Sequence, residues 1–333
     1  MVNKILNATY YGEIFPCDKG RIAIRYKNLC KEVHPDVCAH PDAASAFARL
    51  TELYNEALDA LDKGIWEKPN YLELKTTAGK TLQISYQYRC IFELGEYYVC
   101  KHNIIYLFDF SKNKYYNNYM KKIKNFNFVN ADMEKMFKPL LPKVVSEYDT
   151  EDGKHVIVLS KTEDVYPLRC VIENFYKGNV PDTHLAWMMS RLMNLCCYLK
   201  FNKTVLNGIN IDNLFVSLEY HTILLLGGWW YATEEGEPMI GTTRDIFGIM
   251  PPKVKADKVS SSITDVESVK AFGRKYLAGS APQAFKDFVN SGTKADSMKE
   301  MEKWDEALIA SFGKRRFIKI EATDNDIYKK ERK

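Results

Sequence analysis

The sequence predicts an α+β multidomain protein: an all-α helical hairpin first, then a β-rich stretch, then an α-rich one. Three observations carry this. Residues 18–62 hold two apolar stripes at helical spacing on either side of His34-Pro35-Asp36. From Tyr71 the pattern changes to alternation in short β-branched and aromatic runs. After Pro167 helical periodicity returns, most clearly over Thr183–Leu199, where Leu185, Met189, Leu192 and Leu199 share a side.

At 333 residues the chain is long for one domain and comfortable for two or three. It is 46% hydrophobic, 27% charged and 13% aromatic, so a packed core is expected. The formal charge of +4 is small for this length and does not by itself imply nucleic acid. Charge is patchy instead: residues 19–31 hold five bases and no acid, and 52–62 hold four acids and no base. The eight cysteines contain no pair of CxxC motifs, which excludes a zinc ribbon, and Cys196-Cys197 on an apolar helix reads as core. There is no signal peptide and no apolar run long enough for a bilayer. Together these set the expectation of a reducing cytoplasm, with no cofactor, no metal and no membrane partner.

In the first hairpin, Ile22, Tyr26, Leu29 and Val33 recur at helical offsets and Arg21, Arg25, Lys27 and Lys31 take the other faces. Pro35 disfavours a helical His34, so the helix stops near Val33. The second helix is expected to start at an Asp42 N-cap, with Phe47, Leu50, Tyr54, Leu58 and Leu61 as its stripe. Antiparallel packing leaves His34, Pro35 and Asp36 exposed at the tip. Tyr26, Leu29, the tripeptide, Phe47 and Tyr54 at this spacing, with Tyr11-Gly12-Glu13-Ile14-Phe15-Pro16 ahead, resemble a DnaJ-type J-domain. In that family the basic face and the tripeptide engage a DnaK-type chaperone and stimulate its ATP hydrolysis. The resemblance therefore assigns His34, Pro35, Asp36, Arg21, Arg25, Lys27 and Lys31 to partner binding; Lys31 and Glu32 depart from the residues usual there. A helix-turn-helix DNA reader is the plain alternative, but the loop is long and acids line the partner helix.

Lys63-Gly64 ends the hairpin and Ile65–Asn70, with Pro69, reads as a linker. Strands are expected at Tyr71–Thr76 and Thr81–Tyr88 around Ala78-Gly79-Lys80, then at Arg89–Glu93, Tyr97–His102 and Ile104–Phe110. Residues 112–124, with five lysines, read as a solvated turn leading to a strand near Tyr119–Ile123. Ala131–Phe137 reads as a short helix, and Val144–Tyr148 pairs with His155–Ser160 around Thr150–Gly153. Helices at Leu168–Tyr176 and Thr183–Leu199 precede short strands at Leu214–Ser217 and Thr222–Leu226. A loop-rich 227–262 leads to helices at Asp265–Leu277, Ala281–Val289 and Met298–Phe312.

Five strands with a helix among them, then a helical half entered through a long helix, resemble a two-lobed protein kinase. Leu206–Val216 has the layout of the catalytic loop and following strand, and Leu224–Trp230 that of the metal-binding strand. Asp265 looks like the loop-anchoring aspartate of the central helix, and Pro251-Pro252-Lys253 falls where the activation segment closes. The resemblance implies domains at 1–64 (J-domain), 65–80 (linker and leading strand), 81–166 (amino-terminal lobe), 167–317 (carboxy-terminal lobe) and 318–333 (charged tail).

Phosphoryl transfer needs one carboxylate to orient the attacking hydroxyl and another to hold magnesium. Those positions are Gly208 and Gly228, and only Asn213 survives of the metal-binding pair. Glu96, Tyr97 and Tyr98 follow Gly95 where a phosphate-cradling loop would lie. Lys121 or Lys122, with Glu134, stands for the phosphate-gripping pair, and Trp229 and Trp230 are expected as buried plugs. Losing one catalytic acid or base costs roughly 10²–10⁴ in rate. The expectation is a J-domain co-chaperone carrying a catalytically dead pseudokinase that binds an unknown client or complex, a pairing that resembles bacterial and phage-like proteins. Two rivals stand: a nucleotide-dependent transferase with substitute carboxylates such as Asp212, and a nucleic-acid binder using Arg21, Arg25, Lys27 and the 112–124 lysines. Asp212, Glu219 and His221 are otherwise expected as solvated loop residues.

Overall fold

A computed structural model of the chain describes residues 1–64, 66, 70–313 and 319–328. Most of the expected linker, with Pro69, and parts of the expected charged tail lie outside the described residues. The fold is mixed α/β with several sheets, in two compact units: residues 1–73 with 83–85, and residues 74–82 with 86–333.

In the first unit, α1 (Val2–Leu6) and a 3₁₀ turn (Tyr11–Glu13) lead into α2 (Lys19–Val33) and α3 (Ala43–Asp62). Asp18 caps α2, its carboxylate accepting from the Arg21 N–H at 2.8 Å. α2 stops at Val33 because His34, ahead of Pro35, is extended at φ −60°, ψ 132°. Past α3, Gly64 takes φ +67° and its N–H reaches the Leu61 carbonyl at 3.0 Å. Ile22, Leu29 and Val33 of α2 are buried in one core with Ile5, Ile14 and Phe15.

The α3 stripe differs from expectation. The buried line is Ala43, Ala46, Leu50, Leu53, Ala57 and Ala60, whereas Phe47, Tyr54, Leu58 and Leu61 are only partly buried. Alanines allow the two backbones close approach, and the large rings move to the flank. There Tyr54 stacks on Tyr26 with centroids 4.0 Å apart. Asp42 holds the N-cap position without a capping side-chain bond; its N–H donates to His40 Nδ1 at 3.1 Å.

β1 (Tyr71–Lys75) and β2 (Thr81–Ser85) make a two-stranded sheet. A five-stranded antiparallel sheet follows from β3 (Tyr88–Phe92), β4 (Gly95–Val99), β5 (Asn103–Asp109), β6 (Val144–Asp149) and β7 (Lys154–Ser160), ordered β3-β4-β5-β7-β6. Between β5 and β6 run α4 (Asn113–Ile123) and α5 (Ala131–Phe137). The lysine-rich stretch is thus a helix, not a turn and strand. Tyr119 and Ile123, one turn apart, are buried, and this spacing outweighs the polarity of the residues between them.

Next come β8 (Val165–Pro167), a short α6 (Leu168–Cys170) running into a π turn (Val171–Phe175), and the long α7 (Asp182–Phe201). β9 (Thr204–Val205), β10 (Leu214–Ser217), β11 (Thr222–Leu225) and β12 (Thr233–Glu234) follow; β11, β10 and β8 pair in that order, and β12 pairs with β9. The stretch expected as loop also contains α8 (Arg244–Ile249) and α9 (Pro252–Asp257). α10 (Ser262–Tyr276) starts three residues before Asp265, capped by Ser261. α11 (Gln283–Asn290), α12 (Ser297–Phe312) and α13 (Asp324–Ile327) complete the order.

One core runs through this unit: Tyr97, Tyr106 and Phe108 of the five-stranded sheet are buried with Leu192 and Leu195 of α7 and Val266 and Val269 of α10. α13 returns to the sheet side. Asp324 accepts from Gln87 Nε2 and Tyr166 Oη at 2.8 Å each, and Asn174 Nδ2 donates to the Ile327 carbonyl at 2.7 Å. No helix among the described residues is long and apolar enough to cross a membrane.

The observed α3 register has a direct consequence. Leu53→Ala, which empties a fully buried position, is expected to destabilise the first unit by about 2–5 kcal/mol. Leu58→Ala, partly exposed, is expected to cost less than half as much. Urea titration of both variants decides it; the reverse ranking would restore the register expected from the sequence.

Candidate functional site

The tip of the α2–α3 hairpin is built by its own backbone. The His34 carbonyl accepts from the N–H groups of Val37 and Cys38 at 2.9 and 2.8 Å, and His34 Nδ1 accepts from the Asp36 N–H at 3.2 Å. With Nδ1 accepting, the neutral ring carries its proton on Nε2. The ring meets Phe47 edge-on at 5.3 Å, which orients it, while the Asp36 side chain is 84% exposed. Arg21, Lys27 and Lys31 are exposed and Arg25 is half-buried; none of the four makes an ion pair among the described residues. The hairpin therefore presents unneutralised positive charge on one helix and, at its tip, an exposed carboxylate whose Oδ2 lies 3.7 Å from His34 Nδ1.

In the second unit the loop after β9 hangs on one carboxylate. Asp265, 1% exposed, accepts from the N–H groups of Leu206 at 2.8 Å and Asn207 at 3.1 Å. Burial pushes this carboxyl up to about 7, against the pull of the two donors. Asn207 takes φ +59°, and its Nδ2 lies within hydrogen-bond reach of the Tyr231 carbonyl, Thr233 Oγ1 and Ser260 Oγ, at 3.0, 2.9 and 3.0 Å. Asn213 Nδ2 donates to the Gly208 carbonyl at 3.0 Å.

The two glycines at the expected catalytic positions have different reasons. Gly228 takes φ +84°, and a Cβ there would lie 3.1 Å from Leu206 Cδ2 and 3.3 Å from Asn213 Nδ2. A side chain at 228 is strained and crowded. A Cβ at Gly208 would meet only Tyr231 Cδ2, at 4.0 Å, so space does not forbid a carboxylate there. Neither position offers a proton acceptor or a cation ligand on a side chain.

The volume above them is filled with rings. Trp230, 1% exposed, packs against Phe92, Tyr106, Phe108 and Tyr119 with centroids 5.0, 5.7, 5.8 and 5.9 Å away. Trp229, 2% exposed, donates Nε1 to the Leu225 carbonyl at 2.8 Å and meets Phe126 edge-on. Tyr119 Oη donates to the Leu226 carbonyl at 2.9 Å, and Tyr231 Oη donates to Glu93 at 2.8 Å, tying the β3–β4 turn down. Gly95 cannot open that turn for a ligand: a Cβ on it would lie 1.9 Å from the Leu107 carbonyl oxygen, so strand packing already occupies its free face.

Three expectations are corrected. Glu134 pairs at 2.6 Å with Lys138, just past the end of α5, and not with Lys121 or Lys122, which sit in the last turn of α4. Asp212 is gripped by the Arg169 guanidinium through Nε and Nη2, the latter at 2.7 Å, so it is no free substitute carboxylate. His221 is buried, 6% exposed, with its ring 4.9 Å from Trp187. Sequence reasoning missed Asn207, Tyr231, Glu93 and Asn118, whose Nδ2 reaches the carbonyls of Trp230 and Ala232 at 3.1 and 2.9 Å. The Asn207-Gly208 dipeptide was the one local signal, since asparagine tolerates positive φ. Among the described residues no group of three or more His, Cys, Asp or Glu is placed to hold a metal ion. No protein-family model matches the chain, and no curated protein matches it.

Asp265 makes the unit's stability pH-dependent with a definite sign. Its folded pKa lies above the unfolded carboxylate value, so its contribution is complete below about pH 4 and declines as pH rises through about 7. Asp265→Ala is expected to remove that slope and to cost about 1–3 kcal/mol per stranded N–H. Denaturation midpoints between pH 4 and 8 test both; an unchanged slope in the variant would assign the dependence elsewhere.

Proposed function

We propose that the chain is a J-domain co-chaperone, recruiting and stimulating a DnaK-type ATPase, whose second unit is a degenerate kinase-like module that binds a client or complex. The observation that carries the proposal is the His34-Pro35-Asp36 tip, held by backbone hydrogen bonds and exposed at the end of a helix whose Arg21, Arg25, Lys27 and Lys31 make no ion pair among the described residues. Such a surface needs no chemistry of its own; it acts by presenting charge and shape to an enzyme that supplies the hydrolysis.

The kinase-like half of the proposal draws support from element order and from the loop anchor. Five strands, with helices between the third and fourth, precede a helical half entered through α7. Asp265 in α10 binds the backbone of the loop that resembles a catalytic loop. The absence of side chains at Gly208 and Gly228, the pairing of Asp212 with Arg169, and Trp230 packed beneath the strands argue for binding without phosphoryl transfer. The transferase alternative has no free carboxylate at Asp212 to work with.

Two outcomes are expected. Wild type stimulates single-turnover ATP hydrolysis by a DnaK-type chaperone, while His34→Gln and Asp36→Asn abolish stimulation and keep the wild-type melting temperature. Equal stimulation by all three sinks the co-chaperone assignment. In the second unit, magnesium added to ATP produces no further rise in Tm. A genuine native-state site would stabilise by about 2.7 kcal/mol at a hundredfold excess of ligand over Kd, so a magnesium-dependent shift of that order would revive the transferase.

A further inference from the structure

We propose that a lysine-lined cleft between the end of α4 and the end of α7 binds the phosphate group of a small phosphomonoester. The cleft has a volume of about 300 Å³, and Lys121, Lys122, Lys203, Asn125, Asn127 and Glu234 line it, with Trp229 at its wall. None of the rings packed against Trp230 lines it.

The charges do not balance within the protein. None of the three lysines makes an ion pair among the described residues, although nearby Lys200 takes Glu235 at 3.6 Å and Lys138 takes Glu134. Lys122 is half-buried, and burial, with Lys121 alongside, holds its ammonium below the ordinary lysine range while Glu234 pulls the other way. An uncompensated, partly desolvated ammonium is unfavourable unless an anion visits it.

The competing explanation is that these lysines neutralise the carboxy-terminal ends of α4 and α7, each worth roughly half a negative charge. Counting both ends and Glu234 against three ammoniums still leaves a surplus of about one positive charge. Lys124, in the same turn, is exposed and does not line the cleft, which is how a lysine serving only the helix end is placed. Lys203 is held at φ +50°, where glycine or asparagine is the usual residue after a helix.

Donors and shape point to phosphate. Lysine offers mobile point charges, and the Asn125 and Asn127 amides add neutral donors. The loop carrying them is fixed in advance: the Asn127 N–H donates to Asn202 Oδ1 at 3.0 Å, and Asn202 Nδ2 returns to the Asn127 carbonyl at 3.5 Å. A cleft of this volume sits at the small end of small-molecule sites, enough for a phosphate and part of its carrier.

The test is calorimetric titration of the full chain with inorganic phosphate, glucose 6-phosphate, glucose and a single-stranded RNA oligonucleotide. Wild type is compared with Lys122→Met, Lys203→Ala and Lys124→Ala. Glucose 6-phosphate is expected to bind and glucose not to. Lys122→Met and Lys203→Ala should each weaken binding by about tenfold or more, the scale of one lost charged hydrogen bond, and Lys124→Ala should leave it unchanged. Inorganic phosphate binding as tightly as the sugar phosphate identifies the free ion as the source of the group, and weaker binding identifies the ester. Without ligand, Lys122→Met should melt at or above the wild-type temperature, which shows that the variant folds. No binding by wild type, equal binding by Lys122→Met, or tighter binding of RNA than of the sugar phosphate overturns the proposal.

Discussion

The larger unit depends on one carboxylate that scarcely touches solvent. Asp265 holds the backbone of Leu206 and Asn207, and everything that follows is placed from there. Asn207, fixed in a left-handed conformation, gathers Tyr231, Thr233 and Ser260 around its amide. Tyr231 in turn meets Trp230 edge-on and reaches Glu93 at the β3–β4 turn. A buried acid is expensive when unpaired, and the two N–H donors are what make this one tolerable. The same donors would be stranded without it, so neither side of the arrangement can be lost alone.

The aromatic cluster leaves no open cleft around Trp230. An indole such as Trp230 hides ~150–250 Å² of surface, and at roughly 25 cal/mol per Å² that is an upper bound of several kcal/mol per ring. A polar cavity in the same place would have to keep that surface wet or leave polar groups facing one another. Between β3, β5, α4 and the 228–231 turn, ring packing fills the space. The hairpin of the first unit is organised the opposite way. Small alanines line the buried face of α3, and Arg21, Arg25, Lys27 and Lys31 of α2 are left without an ion pair among the described residues.

Legibility in the sequence followed the range of the interactions. The end of α2 at Val33 was readable because Pro35 acts on its immediate neighbour, and strands β3 to β5 because runs of β-branched and aromatic residues are a local signal. The α3 register differs because the sequence pattern of Phe47, Leu50, Tyr54, Leu58 and Leu61 passes over the alanines, whereas Ala46 and Ala57 are the buried residues and Tyr54 stays at the flank. α4 was missed because its lysines and asparagines masked the Tyr119–Ile123 spacing. The roles of Asn207, Glu93 and Tyr231 rest on partners 24 to 138 positions away, which no local pattern reports. For Asp265 the residue could be picked out by resemblance, but its burial and its partners 58 and 59 positions upstream could not.

Asp324 bears on how the chain becomes a protein at all. Its carboxylate joins Gln87, at the start of the five-stranded sheet, across 237 positions, and Tyr166 across 158. Contacts of such separation close late, because the loop entropy between them is lost before any bond is gained. During synthesis the hairpin can settle its core within the first 66 residues. The sheet beginning at Tyr88 has all five of its strands once residue 160 is made, but its contact through Gln87 forms only after residue 324 has left the ribosome. For that interval the edge strand β3, with one partner strand, also lacks the Gln87–Asp324 contact beside it, which leaves this edge open to pairing with another copy.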